Sequence, residues 1–223
     1  AILKAPVDLL WNGGIGTYVK STEESHLDVG DRANDALRIN GNELRCKVIG
    51  EGGNLGFTQK GRIEYALNKG RINTDAMDNS AGVDCSDHEV NIKIALTQAL
   101  RAKKITLEQR NKILEQMTDN VSHLVLEDNR LQTQAISIAQ YQGISALGDQ
   151  AQFLDNLEKS GLLNRKVEFL PSKKEIEKRQ VDKISLTRPE LCVMLAYAKM
   201  DIYNKILASN LVKDEYFETH LFS

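Results

Sequence analysis

Three short turns rich in glycine and asparagine carry the residues best suited to binding a nucleotide. They occupy residues 12–16, 52–56 and 78–82. Small residues allow backbone N–H groups to approach a phosphate or a ribose, and the N-terminus of a following helix adds partial positive charge. None of these turns reads G-x-G-x-x-G or G-x-x-x-x-G-K-[ST], so any one of them is equally consistent with a purely steric role. Their meaning depends on whether the fold brings them together.

A second group of reactive side chains lies at residues 84–89, which read Asp-Cys-Ser-Asp-His-Glu. Neighbouring positions at a helix start point in different directions, and neither H-E-x-x-H nor C-x-x-C is present, so we predict no metal site here. Cys85 with His88 as its base would make a nucleophile, but a surface role for both is the simpler interpretation. Ser86 could either orient a polar ligand or cap a helix that starts at Asp87.

The elements that would position the turns alternate in type. Short β-type runs at residues 7–11, 46–49 and 71–74 each end at residues rich in glycine, asparagine or aspartate, and residues 59–68 have helical spacing. This order of strand, helix and strand predicts parallel strands. Ligands of open parallel sheets bind outside the carboxyl ends of the strands, so the three turns are predicted to converge on one site.

The rest of the chain is predicted to be helical. Glycine is rare after Gly82, strand patterns vanish from Asp87 onward, and capping boxes at Thr106 and Thr187 indicate two helix starts. Further apolar stretches with helical spacing cover residues 113–125, 131–141, 149–159 and 191–208, and residues 172–183 form a charged helix face or linker. We therefore divide the chain into an α/β region, residues 1–104, and an all-helical region, residues 105–223.

Composition excludes several classes of protein. The chain has 223 residues, 29 Lys and Arg against 31 Asp and Glu, and 41% hydrophobic residues, as in an ordinary globular protein without a basic surplus for nucleic acid. Its three cysteines are widely spaced, which favours a reducing, cytoplasmic location, and no apolar run is long enough to span a membrane. Because the chain starts at Ala1 as if inside an element, we expect a segment of a longer protein.

Five stretches of the sequence closely resemble the large-subunit NAD-specific glutamate dehydrogenases of bacteria. They are residues 9–19, 30–35, 50–59, 73–93 and 186–191. The resemblance implies oxidative deamination of L-glutamate to 2-oxoglutarate and ammonia, with hydride transfer to NAD. It also implies that residues 1–104 are the C-terminal half of a dinucleotide-binding domain, a truncated Rossmann-like parallel sheet of three strands flanked by helices.

The resemblance also assigns site residues. It places Asn54 beside the nicotinamide ribose, in a turn where Gly53 replaces the alanine of smaller glutamate dehydrogenases. It gives contacts with the cofactor to Asn12, Gly13, Gly14, Gly53, Asn54 and Asn79. It gives contacts with the glutamate side chain and its distal carboxylate to Val83 and Ser86.

No stretch matches the family's pyrophosphate loop or the substrate domain that holds its catalytic lysine and aspartate. We therefore assign no catalytic acid or base, and we predict that this piece alone is inactive and binds NAD weakly. The full-length protein is expected to be a homo-oligomer.

Two other classes remain open. One is a non-catalytic nucleotide-binding or oligomerisation module. The other is a metal-dependent hydrolase built on Asp75, Asp78, Asp84 and Asp87.

Overall fold

The computed structural model describes residues 1–216 of the chain. Its backbone is mostly helical and contains a small amount of parallel β-sheet. The chain divides into two compact units, Ala1–Ser137 and Ile138–Ser223. Over the described range, no helix combines the length and the apolar character that crossing a membrane requires.

The strands of the first unit pair in parallel. They are β1 (Leu9–Asn12), β2 (Val19–Lys20), β3 (Ile39–Asn40) and β4 (Val48–Glu51). Strand β1 pairs with β4 from Leu9 opposite Val48 to Asn12 opposite Glu51, and β2 pairs with β3. The parallel pairing predicted for the first two runs is confirmed. The sequence did not indicate β2 and β3, because a two-residue strand is too short to show a periodic pattern.

The third predicted strand is wrong in its extent. Of residues 71–74, only Arg71 joins the sheet, through a parallel bridge to Val48 in which the Ile49 amide donates to the Arg71 carbonyl at 2.9 Å. Thr74 already precedes the next helix as its N-cap, so the chain turns away after a single bridge. The predicted three-stranded sheet is therefore two strands and a bridge.

Helix α1 (His26–Val29) lies between β2 and β3, and helix α2 (Gln59–Leu67) follows β4, as the spacing of residues 59–68 predicts. The Thr58 side chain caps α2 by accepting from the Gly61 amide. The Tyr65 hydroxyl donates to the Cys46 carbonyl at 2.8 Å, which ties α2 to the segment before β4. The core of this unit consists of the buried side chains of Val19, Cys46, Ile49, Phe57, Tyr65 and Ile72.

Helix α4 begins earlier than predicted. The short helix α3 (Asp75–Asp78) is followed, after Asn79, by α4 (Ser80–Arg101), so the third glycine-containing turn is largely helical. Ser86 therefore lies within α4, where its hydroxyl donates to the Gly82 carbonyl at 3.1 Å. The prediction that Ser86 could cap a helix starting at Asp87 is wrong, because a helical backbone is already in place six residues upstream.

Two further helices, α5 and α6, begin in the first unit. Helix α5 (Leu107–Gln116) starts at the capping box that the sequence predicts, with Thr106 accepting from the Gln109 amide and the Gln109 side chain accepting from the Thr106 amide. Helix α6 (Thr118–Gln142) is continuous, whereas the sequence pattern predicts separate helices around residues 113–125 and 131–141. The chain breaks instead at Met117, between α5 and α6.

The regular elements among the described residues of the second unit are helices, as predicted. They form α7 (Leu147–Lys159), α8 (Lys173–Asp182) and α9 (Arg188–Ala208). Capping boxes at Ser172 and Thr187 begin α8 and α9. The core of this unit consists of Leu154, Leu157, Leu163 and Leu170, with partly buried side chains of α9 packed against it.

Candidate functional site

The first two glycine turns are held together by backbone hydrogen bonds. The amides of Gly52 and Gly53 donate to the Asn12 carbonyl at 2.9 and 3.2 Å. This contact follows from the parallel pairing of β1 and β4, because parallel strands end at the same edge of a sheet.

The third turn reaches the same place through a side chain. The side-chain amide of Asn79 donates to the side-chain oxygen of Asn54 at 2.6 Å. Residues 12–14, residues 52–54 and Asn79 therefore form one group, which we name the turn cluster. All six residues to which the family resemblance assigns contacts with the cofactor belong to it.

Three glycines in or next to the turn cluster have no room for a side chain, because the Gly14 backbone or the Trp11 ring lies close to them. A Cβ atom on Gly53 would come within 2.7 Å of the Gly14 carbonyl oxygen. A Cβ atom on Gly50 or Gly52 would come within 2.6 Å of the indole ring of Trp11. The ring of Trp11 thus lies against the glycines of β4 and its turn, and it is 59% exposed. Sequence reasoning missed Trp11, although a tryptophan in a strand next to glycines of the neighbouring strand is a usable signal.

A buried ion pair supports the turn that follows β4. The carboxylate of Glu51, which is 0% exposed, accepts from Arg62 Nε at 2.7 Å and from Nη2 at 3.0 Å. Burial raises the pKa of the Glu51 carboxyl group, and the Arg62 guanidinium offsets part of that effect. The pair joins the end of β4, next to the turn at residues 52–54, to α2.

Two aspartates of α3 hold the same turn through its backbone. Asp78 accepts from the Glu51 amide at 2.9 Å, and Asp75 accepts from the Leu55 amide at 2.8 Å. Asp75 also pairs with Arg62 at 3.2 Å. Both carboxylates are thus directed at the turn after β4, where they fix backbone geometry. The sequence identified them only as potential metal ligands.

One amide of the turn cluster faces no partner. Within residues 1–216, the side-chain nitrogen of Asn12 is buried and makes no hydrogen bond. A buried donor without an acceptor costs about 1–3 kcal/mol, so such a group is commonly completed by a ligand or water. A cavity of about 570 Å³ opens beside Asn12 and Gly14, and its other walls are mostly apolar.

Val83 and Ser86, to which the family resemblance assigns contacts with the substrate, lie on α4 after Asn79. Val83 is 68% exposed, and Ser86 is also exposed. The Ser86 hydroxyl donates to the Gly82 carbonyl of its own helix. The structure therefore presents both side chains to solvent along one helix.

Comparisons with known proteins give the family. Residues 1–139 match the family described as bacterial NAD-glutamate dehydrogenase, catalytic domain, and residues 183–223 match the glutamate dehydrogenase C-terminal family. The chain belongs to the bacterial NAD-glutamate dehydrogenase family, which confirms the resemblance found in the sequence.

Three relatives named NAD-specific glutamate dehydrogenase are similar along almost the whole chain. The relative from Pseudomonas aeruginosa is 53% identical over 97% of the chain, that from Halomonas elongata 50% over 96%, and that from Mycobacterium tuberculosis 50% over 99%. The chain spans only 13–14% of the length of these relatives.

Proposed function

We propose that this chain is the part of an NAD-dependent glutamate dehydrogenase that forms the nicotinamide side of the cofactor site and one wall of the substrate site. The observation that supports the proposal is the turn cluster. In a chain of this family, the turns after the parallel strands β1 and β4 meet at the carboxyl ends of those strands, and Asn79, which follows α3, is hydrogen-bonded to the second turn. The whole enzyme would convert L-glutamate to 2-oxoglutarate and ammonia. Bound NAD would supply the hydride acceptor.

The turn cluster has groups that fit a nicotinamide nucleotide. The paired amides of Asn54 and Asn79 offer donors and acceptors to ribose hydroxyls, and the buried Asn12 amide offers a donor that lacks a partner among the described residues. Gly13, Gly14 and Gly53 keep the backbone free of side chains, so that a ligand can approach it closely. These roles explain why amide and glycine residues alternate at this site.

Val83 and Ser86 would form the substrate wall. Val83 offers an apolar surface to the glutamate side chain, and the Ser86 hydroxyl can exchange its Gly82 partner for an oxygen of the distal carboxylate. Neither residue can move a proton in the reaction, and we assign no catalytic acid or base to this chain. We therefore propose that the 223-residue chain alone does not turn over glutamate and binds NAD weakly.

The finer features of the fold belong to the same proposal. Residues 1–104 would be the C-terminal half of a Rossmann-like domain whose other strands lie elsewhere in the enzyme, and residues 105–223 would be its helical C-terminal region. We further propose a cytoplasmic homo-oligomer that acts on small molecules rather than on nucleic acid or membranes.

Steady-state kinetics of the enzyme encoded by the full reading frame test this proposal. We expect NADH formation with glutamate and not with aspartate. Ser86→Ala should raise the KM for glutamate, and Asn54→Ala should raise the KM for NAD, because each removes a different ligand contact. A folded full-length protein that turns over neither amino acid would contradict the proposal and favour a non-catalytic nucleotide-binding or oligomerisation module. Glutamate turnover by the isolated chain would contradict the assignment of catalytic groups to other segments.

A further inference from the structure

Three potential metal ligands meet between α4 and α6, away from the turn cluster. His88 Nε2 lies 3.6 Å from an Asp84 carboxylate oxygen and 3.8 Å from an Asp128 carboxylate oxygen. One ligand atom of each residue lies within 4.8 Å of the ligand atoms of the other two. The group joins one turn of α4 to a residue of α6.

The spacing and types of these atoms fit a metal ion. With bonds of about 2.1 Å, the ligand atoms of a tetrahedral site lie roughly 3.4 Å apart, close to the distances between His88 and the two carboxylates. An imidazole with two carboxylates suits Zn²⁺ and neighbouring divalent transition metals, and three protein ligands leave a position for water.

Asp84 gives a separate indication. Its second carboxylate oxygen is buried and makes no hydrogen bond within residues 1–216. An oxygen that is removed from water without a partner is costly, and a bound cation would compensate that cost. The unpartnered oxygen belongs to the same side chain that approaches His88.

We propose that Asp84, His88 and Asp128 bind one divalent transition metal ion of the zinc type, which ties α4 to α6. This revises the prediction of no metal at residues 84–89. Spacing along α4 alone could not show the site, because its third ligand comes from another helix.

A structural role follows from the packing of α4. No residue of this 22-residue helix is fully buried in the described structure, so core packing alone fixes it poorly. The Ser80 hydroxyl donates to the side-chain oxygen of Asn129 at 2.7 Å and accepts from the side-chain amide of Gln132, both on α6. A metal ion would add a further link one to two turns along α4. Ser86 is about 200° around the helix from Asp84, so the metal and the proposed substrate wall occupy different faces.

Titration of the chelator-treated 223-residue chain with Zn²⁺ in a calorimeter tests the proposal, with Co²⁺ absorption as the spectroscopic readout. We expect one Zn²⁺ per chain and a rise in Tm on its addition, because a ligand that binds the folded state stabilises it. Asp84→Asn, His88→Gln and Asp128→Asn should each weaken Zn²⁺ binding at least ten-fold. Far-UV circular dichroism verifies that each variant is folded.

Two control variants each remove a potential metal ligand outside the proposed site. His123→Gln removes an exposed imidazole of α6, and Cys85→Ser removes the exposed thiol next to Asp84. Both should bind Zn²⁺ like the unaltered chain. The proposal is overturned if the unaltered chain binds no Zn²⁺, if His88→Gln binds as tightly as His123→Gln, or if Cys85→Ser is the variant that loses binding. Should one ligand variant not fold, the other two and the Co²⁺ spectrum of the unaltered chain decide the question.

Discussion

The side chains of Asn54 and Asn79 are joined by a 2.6 Å hydrogen bond, although 25 residues separate them in the sequence. The bond connects the turn after β4 to the residue immediately before α4. It therefore couples the proposed cofactor turn to the helix that carries the proposed substrate wall. If NAD binds at the turn cluster, the two amides act together and not as independent contacts.

This coupling predicts non-additive kinetics in the full-length enzyme. Asn54→Ala and Asn79→Ala should each raise the KM for NAD roughly five-fold, which corresponds to about 1 kcal/mol for one hydrogen bond. The double variant should be less impaired than the sum of the two changes, because each single change already breaks the shared bond. Asn204→Ala, an exposed change on α9, serves as the control. Strictly additive effects on KM would show that the two amides do not cooperate.

The Gly14 carbonyl approaches Gly53 so closely that the structure leaves no room for a side chain at position 53. The Gly14 carbonyl oxygen would lie 2.7 Å from an alanine Cβ. The oxygen belongs to the backbone and the backbone also fixes the position of Cβ, so no side-chain rotation can relieve this contact. Gly53→Ala should therefore destabilise the chain by about 1–3 kcal/mol. Chemical denaturation of the 223-residue chain measures this value.

Gly148→Ala is the matched control for Gly53→Ala. A Cβ atom on Gly148 meets nothing within 4 Å, and the residue lies within α7. This change should stabilise the chain by about 0.5–1 kcal/mol, because alanine loses less conformational entropy in a helix than glycine. Equal effects of the two substitutions would mean that the approach of Gly14 to Gly53 is not rigid.

Local signals in the sequence predicted most of the helical structure. Thr106 and Thr187 mark their helix starts because a capping box involves only residues three positions apart. The pairing of β1 with β4 was also predictable, because turn residues and an intervening helix define a parallel unit.

The remaining features depend on contacts between distant residues. The approach of Asp128 to His88 and the position of Trp11 over two glycines arise from tertiary packing, which no local spacing encodes. Likewise, the sequence alone identifies Asp75 and Asp78 only as potential metal ligands, because carboxylates commonly bind metal ions. Their partners include the backbone amides of Leu55 and Glu51, which lie 20 and 27 residues upstream.

Removing one partner of the buried ion pair between Glu51 and Arg62 should destabilise the fold strongly. Arg62→Met leaves the Glu51 carboxyl group buried without its partner, and removing one member of a buried pair typically costs about 3–5 kcal/mol. Arg130→Met removes a comparable ion pair with Glu127 that is exposed on α6, and it should have a much smaller effect. Urea unfolding of both variants makes the comparison. Similar losses from the two changes would contradict the importance of burial.

The double variant Glu51→Gln with Arg62→Met refines this test. Since it removes both charges, it should be more stable than Arg62→Met alone. In the full-length enzyme, we expect the single Arg62 variant to raise the KM for NAD as well, because the pair supports the turn that contains Asn54. If the Arg62 variant is destabilised but its KM for NAD is unchanged, the ion pair stabilises the fold without controlling the geometry of the turn that contains Asn54.

Asp155 should make the stability of the second unit depend on acid pH. Lys173 lies 3.0 Å from its carboxylate, and this hydrogen bond, together with the charge of Arg165, lowers the pKa of the Asp155 carboxyl group against the effect of its burial. Because its pKa is lowered in the folded state, the ionised Asp155 carboxylate stabilises the fold above the ordinary aspartate pKa of 3.8. This stabilisation is lost as pH falls through the folded-state pKa.

Asp155→Asn should therefore lower the free energy of unfolding by about 1.5–3 kcal/mol at neutral pH and have a progressively smaller effect in acid. Unfolding of the chain between neutral pH and pH of about 3 follows this change, with Asp182→Asn, at the exposed end of α8, as the control. An effect of Asp155→Asn that stays constant across this range would show that its carboxylate gains nothing from Lys173 and Arg165 by being charged.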